Sequence, residues 1–243
     1  MSKYLTETVA RKEIVKVGKR LYENGFVAAN DGNISVKISD HEIIVTPTGV
    51  SKGYMTEDEL VKMTTSGIIL GGSRPSSEVK MHLEVYKQNR NVTAVVHAHP
   101  PISTAFAVTH TPLDVPIIAE AVVLLGNVPI APYAKPGTDE VPNSISKFVN
   151  THNAVLLANH GLLTWGTTLD EAHFRMESAE HYCKILLYAK QIGVPQEFNE
   201  RQIDELIEIR HSLGFSTGGK PKPTKQDTQK NNISKNNNSY FSI

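Results

Sequence analysis

The sequence predicts an α/β layered domain built on a mixed β-sheet. Three features of the chain carry that expectation. Short apolar runs of strand length recur between clusters of Gly, Pro, Asn and Asp. Longer stretches repeat apolar residues at helical spacing. The two kinds interleave without the strict strand–helix–strand alternation of an all-parallel sheet.

Residues 6–24 read as a helix, with Val9, Ile14, Val17, Leu21 and Tyr22 near one face and Gly25 closing it. The next segment, AANDGNISVKISDHEIIVTPTGVSKGYMT, alternates β-like runs with turn residues and predicts a hairpin around Ser39–Asp40. TEDELVKM is a short capped helical turn leading into a strand. PSSEVKMHLEVYKQNR is a helix opened by Pro75 and two serines, with Val79, Leu83 and Tyr86 turned inward. NVTAVVHAH is a strand stopped by Pro100 and Pro101, and a helix runs from Pro101 to Val108.

VPIIAEAVVLLGNVPIAPY is apolar and fits either helix or strand, while TDEVPNSISKFVNTH is helical. NAVLLANHGLLTWG reads as a buried strand, a break at His160–Gly161 and a second strand. TLDEAHFRMESAEHYCKILLYAKQIG is a long amphipathic helix ending at Gly193, and a last helix spans roughly 199–212. From Ser216 the composition turns to Lys, Asn, Ser and Gly, too polar to offset the entropy of ordering. Residues 1–215 are therefore expected to form one domain and residues 216–243 a disordered polar tail.

The 243 residues, 40% of them hydrophobic, suffice for a real core. Twenty-five basic residues balance 25 acidic ones, and no basic stripe interleaved with aromatics argues for a nucleic-acid partner. The single cysteine, Cys183, excludes an intrachain disulfide and fits a reducing compartment; its apolar-periodic surroundings suggest a packed thiol. The charged N-terminal stretch lacks the apolar centre of a signal peptide, and no run approaches the roughly 18 apolar residues of a membrane span. A cytoplasmic protein is expected.

His97 and His99 sit two apart at the end of an apolar strand, where side chains at i and i+2 share a face. They are either two ligands of a metal or two histidines that finish a strand. His160 also ends an apolar run, and Gly161 allows the backbone to turn or to approach a neighbour closely. Three imidazoles at strand ends suit a divalent site with an open position; alone, His160 equally suits a hydrogen-bonded strand end. Glu78, with Ser76 and Ser77, is either a helix cap or an acid/base group beside an anion site. NDGNIS and TPTGVSKG are polar, Gly-containing turns suited to presenting N–H groups to a phosphate, though hairpin turns use the same residues.

Taken in order, GNIS, TPTGVSKG, PSSEVKMH, VVHAH and NHGLLTWG resemble the class II aldolase/adducin family over about Thr6 to Gly193. The resemblance implies a three-layer α/β/α domain with a central mixed sheet. It implies one divalent cation per subunit, zinc first, with manganese or cobalt as alternatives, held by His97, His99 and His160. Glu78 would complete the metal shell and then act as base. Asn33, Thr48, Gly49, Ser76 and Ser77 would hold a substrate phosphate. The implied reaction is reversible cleavage of a deoxy-ketose 1-phosphate, of the L-fuculose-1-phosphate or 5-deoxypentulose-1-phosphate type, to dihydroxyacetone phosphate and a small aldehyde.

Family members build such sites between subunits of a C4 homotetramer, with a tyrosine from the adjacent chain as proton donor. Here the corresponding region reads PIIAEAVVLLG and has no tyrosine; Glu120 is its ionisable group, either a further site residue or a surface or interface carboxylate. Tyr240, in the tail, lies in no matching motif. Sugar-phosphate dehydratases and 4-epimerases on the same fold are the enzymatic alternatives. A non-catalytic adducin-like interaction module is the third, and it predicts loss of the metal ligands that this chain retains.

Overall fold

A computed structural model describes residues 3–224. Helix α1 (Glu7–Glu23) is capped by the Thr6 hydroxyl, which accepts from Val9 N–H, and the chain leaves it through Gly25 at φ +69. Its buried face is Ala10, Ile14, Val17, Gly18 and Leu21; Val9 and Tyr22, expected inward, are exposed at 42% and 38%. Ala10 completes the stripe that Val9 was expected to supply, since 10, 14, 17 and 21 lie at tighter helical spacing.

Strands β1 (Asn33–Lys37) and β2 (Glu42–Val45) form the expected hairpin, with Lys37 opposite Ile43. A single 3₁₀ turn, Glu57–Glu59, is closed by a capping box between Thr56 and Glu59 and delivers β3 (Val61–Thr64), which pairs with β4 (Ile69–Gly71). Then come α2 (Val79–Gln88), β5 (Ala94–Ala98) and α3 (Pro101–Val108). The ambiguous apolar stretch resolves into both kinds of structure, a π-helical turn at Ala121–Leu125 and the two-residue strand β6 (Ile130–Ala131). Helix α4 (Glu140–Ile145), strands β7 (Ala154–Leu157) and β8 (Gly161–Gly166), and helices α5 (Leu169–Ile192) and α6 (Glu200–Ser212) complete the order.

The strands make one eight-stranded sheet in the order β4-β3-β2-β1-β5-β8-β7-β6, antiparallel except for the β6–β7 pair. Strands β1, β5, β7 and β8 are buried at every position; β5, β7 and β8 are largely apolar runs, whereas β1 alternates and buries Asn33, Ser35 and Lys37. Alternate residues feed two cores. Ile34, Val36, Val96 and Leu162 pack with α1, α3 and α5; Ile43, Val95, Leu163 and Trp165 pack with α2 and α4. The three-layer α/β/α arrangement follows. Cys183 is buried in the first core, and burial pushes its thiol up to about 12.

The expected tail departs from disorder at its start. Residues 216–224 have no regular structure but are hydrogen-bonded to the body: Gly218 and Gly219 N–H donate to Thr151 O, Asn127 N–H donates to Gly218 O, and the Arg210 guanidinium donates to Gly219 O at 2.6 Å. The backbones approach so closely that a Cβ on Gly126 would lie 1.6 Å from Gly218 O. Backbone hydrogen bonds thus replace the apolar burial that this composition lacks. Residues 225–243, with Tyr240, lie outside the described residues.

Candidate metal centre and active site

Antiparallel pairing puts Asn33 of β1 opposite His97 of β5, and Ser35 opposite Val95. Directly opposed residues share a face, so Asn33, Ser35 and His97 all turn toward α2. His97 is fully buried. Its Nδ1 lies 2.9 Å from Leu162 O, and because a carbonyl only accepts, Nδ1 carries the proton and Nε2 a lone pair. Burial holds the imidazolium form well below its ordinary range, which keeps that lone pair free.

His99 stands two residues on, past the end of the strand, with Nδ1 3.5 Å from Asp31 Oδ2 and Nε2 3.1 Å from His97 Nε2. His160 occupies the turn between β7 and β8, where Asn159 takes the left-handed conformation at φ +58. Gly161 serves close approach: a Cβ there would fall 2.6 Å from both Ala98 O and His99 Cδ2. Neighbouring pairings thus deliver all three rings to one place. Their centroids are 4.8 to 5.0 Å apart, and one nitrogen from each lies within 4.8 Å of the others.

Glu78 occupies the N-cap position of α2 without making a capping bond; its side chain turns to the histidines instead. Oε2 accepts from Asn33 Nδ2 at 3.0 Å and lies 3.4 Å from His97 Nε2. Oε1 is buried, 3.1 Å from His160 Nε2, in a geometry that satisfies no hydrogen bond. Burial opposes its charge, but the facing imidazoles of His97 and His160 and the Asn33 amide outweigh that and hold the carboxyl well below the usual range. An unsatisfied carboxylate oxygen beside imidazole lone pairs aimed at one another is what a divalent cation resolves, and zinc, manganese and cobalt all accept this donor set. The residues present fit such an ion.

The corner after His99 is held by a buried carboxylate on α5. Glu180 accepts from Ile102 N–H at 2.9 Å, and from Ser103 N–H and Ser103 Oγ, each at 2.7 Å, satisfying donors at the start of α3.

The expected phosphate residues fall on two loops that run side by side. Ser76 N–H donates to Thr46 O at 3.1 Å, Thr48 N–H donates to Arg74 O at 3.0 Å, and Pro47 bridges Pro75. Thr48, Gly49 and Ser77 are exposed, and Gly49 sits at φ +76; Ser76 is buried and its hydroxyl accepts from Glu78 N–H. Asn33 joins these loops to the histidine group through Glu78. Glu120 is not brought to them by any contact. It is exposed at the start of the π-helical turn and has no hydrogen bond or ion pair among the described residues.

Two neighbours were not foreseen from the sequence, Asp31 beside His99 and His82 behind Asn33. The signal for His82 was present, four residues after Glu78 in PSSEVKMH and so one helical turn along α2.

Known proteins resemble this chain in sequence and in fold. Residues 12–187 match the family model described as Class II Aldolase and Adducin N-terminal domain. A 3-oxo-tetronate 4-phosphate decarboxylase of Haemophilus influenzae is 33% identical over 186 residues, 74% of this chain and 88% of that protein. An L-fuculose phosphate aldolase of Methanococcus vannielii is 34% identical over 174 residues, 72% of this chain and 93% of that protein. A solved L-fuculose 1-phosphate aldolase superposes with a TM-score of 0.78 at 30% identity, covering 88% of this chain and 100% of that one. With the motif order, the layered sheet and the converging histidines in accord, this chain belongs to the class II aldolase and adducin N-terminal domain family.

Proposed function

We propose that the protein is a divalent-metal-dependent carbon–carbon lyase acting on a small phosphorylated keto sugar. The observation that carries this reading is the approach of His97, His99 and His160 nitrogens to within 4.8 Å, with the unsatisfied Glu78 Oε1 beside them. A cation bound there supplies a Lewis acid that polarises the substrate carbonyl as the neighbouring bond breaks. His97, His99 and His160 hold it, with Glu78 as the fourth ligand; zinc is the first choice, manganese or cobalt the alternatives. The loops bearing Thr48, Gly49, Ser76 and Ser77, with Asn33, bind the phosphate, and that remote binding orients the reacting carbons. Glu78 would carry the proton at the carbon beside the carbonyl.

The first substrate reading is retro-aldol cleavage of a deoxy-ketose 1-phosphate to dihydroxyacetone phosphate and a small aldehyde. A second reading, decarboxylation of a 3-oxo sugar-acid 4-phosphate, is favoured by a specific observation. Retro-aldol chemistry needs a proton partner for the aldehyde oxygen, whereas loss of carbon dioxide needs none. PIIAEAVVLLG provides no tyrosine, and its Glu120 is exposed. The named activity of the Haemophilus relative points the same way. Subunits assemble as a C4 homotetramer in this reading, with the aldehyde side completed across the interface; light scattering tests it.

The deciding assay presents metal-loaded protein with ketose 1-phosphates and 3-oxo acid 4-phosphates, with a chelated control. Chelator-sensitive dihydroxyacetone phosphate supports the aldolase and carbon dioxide the decarboxylase. Substrate loss with neither product indicates dehydration or epimerisation and returns attention to Glu120. No turnover of any substrate overturns the lyase reading.

A further inference from the structure

Behind Glu78, β1 and the inner face of α2 enclose a line of polar side chains of which the catalytic reading uses only the first, Asn33. Asn33 Oδ1 is 2.6 Å from His82 Nε2, His82 Nδ1 is 2.7 Å from Ser35 Oγ, and Ser35 Oγ is 2.7 Å from the Tyr86 hydroxyl. His82 and Ser35 are fully buried and Tyr86 nearly so, at 4% exposure. Burial alone accounts for polar groups finding partners. It does not account for the direction of the bonds.

That direction is set link by link. Asn33 gives its NH2 to the Glu78 carboxylate, so its carbonyl oxygen must face His82, and His82 Nε2 must carry the proton. His82 Nδ1 is then an acceptor and takes the Ser35 hydroxyl proton. Ser35 Oγ also lies 2.7 Å from the Tyr86 hydroxyl, which donates to Ser35 O at 3.0 Å. From Ser35 through His82 to Asn33, every donor points toward Glu78 Oε2. A chain polarised one way strengthens its terminal bond, and the reversed Asn33 amide would set its carbonyl against a carboxylate.

We propose that His82 is a positioning residue: held in the Nε2–H tautomer by Ser35, it fixes the Asn33 amide with its NH2 toward the site and so sets the orientation of Glu78. This rests on the reading of Glu78 as base. Removing the chain should therefore slow the proton step through Glu78 more than it weakens phosphate binding through Asn33.

The test compares wild type with His82→Leu, His82→Gln and Ser35→Ala, each with thermal melting and metal content measured. Expected for His82→Leu is a fall in kcat of about 10- to 100-fold, the size typical of losing an outer-shell partner, with a smaller rise in KM through the Asn33 phosphate contact. His82→Gln, whose amide replaces the Nε2 donor, should recover most of that loss. If His82→Leu does not fold, Ser35→Ala carries the comparison, with a smaller fall of roughly 2- to 10-fold from one hydrogen bond. Unchanged kcat, a rise confined to KM, or a Gln variant as slow as Leu overturns the proposal.

Nitrogen-15 NMR of histidine-labelled, metal-free protein gives a readout independent of any substrate. A neutral Nε2–H imidazole for His82 at pH 7 that loses this single state in Ser35→Ala supports the chain. An Nδ1–H tautomer or an imidazolium refutes it. Should wild type turn over nothing, the lyase reading fails and this spectrum still decides the positioning chain.

Discussion

Acid should destabilise this fold steeply through His82, and the size of the effect follows from its burial. His82 has no exposure, and burial holds its imidazolium form down to about 3 against an ordinary 6.5. The unfolded chain takes up this proton as pH falls through 6.5, whereas the folded chain refuses it until about pH 3. Stability from His82 is therefore complete above pH 6.5 and drains away between pH 6.5 and 3. At pH 5 the free imidazole is protonated roughly thirty to one, which at about 1.4 kcal/mol per tenfold removes about 2 kcal/mol. Urea unfolding of the chelated protein, followed by the fluorescence of buried Trp165 at fixed protein concentration, measures it. His82→Gln cannot titrate, so between pH 8 and pH 5 wild type should lose about 2 kcal/mol more than the variant. Parallel losses in the two proteins would refute a neutral, buried His82.

Four further outcomes test the site and its supports. Glu180→Ala strands three donors at the start of α3 and should cost about 2–4 kcal/mol in thermal or urea unfolding, while Ser178→Ala, on the same helix, should cost little. Gly161→Ala drives a methyl group against Ala98 O and His99, so metal content by elemental analysis should fall well below one per chain even where the fold survives. Glu78→Gln should retain metal yet lose turnover by at least about 100-fold, as expected for removing a general base, and His97→Ala should lose the metal itself; full occupancy in His97→Ala would remove it from the ligand set.

The parts of this molecule that could be read in advance are those where one local period decides the outcome. The two-residue spacing of His97 and His99 survives folding because β5 is paired on both sides up to the residues just before His99, and the hairpin at Ser39–Asp40 follows from turn chemistry next to apolar runs. Helix faces were read less well where two registers competed, as at Val9 against Ala10. PIIAEAVVLLG had no period to read, and it became a π-helical turn tied by Arg210, whose guanidinium binds Val122 O and Val123 O from another helix. The first part of the polar tail was misread because its order comes from backbone contacts at Gly126 and Gly218, which composition does not register. Asp31 and His82 escaped notice because their partners are distant in sequence, although Ser35 already shared a face with Asn33.

The histidines come from β5 and from the turn into β8, which pair directly, and Glu78 arrives from a third segment that lies against β1. During synthesis, when the chain emerges N-terminus first, Glu78, His97 and His99 are available long before His160. A ribosome-bound fragment ending before the β7–β8 hairpin can offer a cation only a partial grip. Were these groups to hold a cation as proposed, its capture would wait for closure of the sheet's centre, and retention would report that the strands had found the right neighbours.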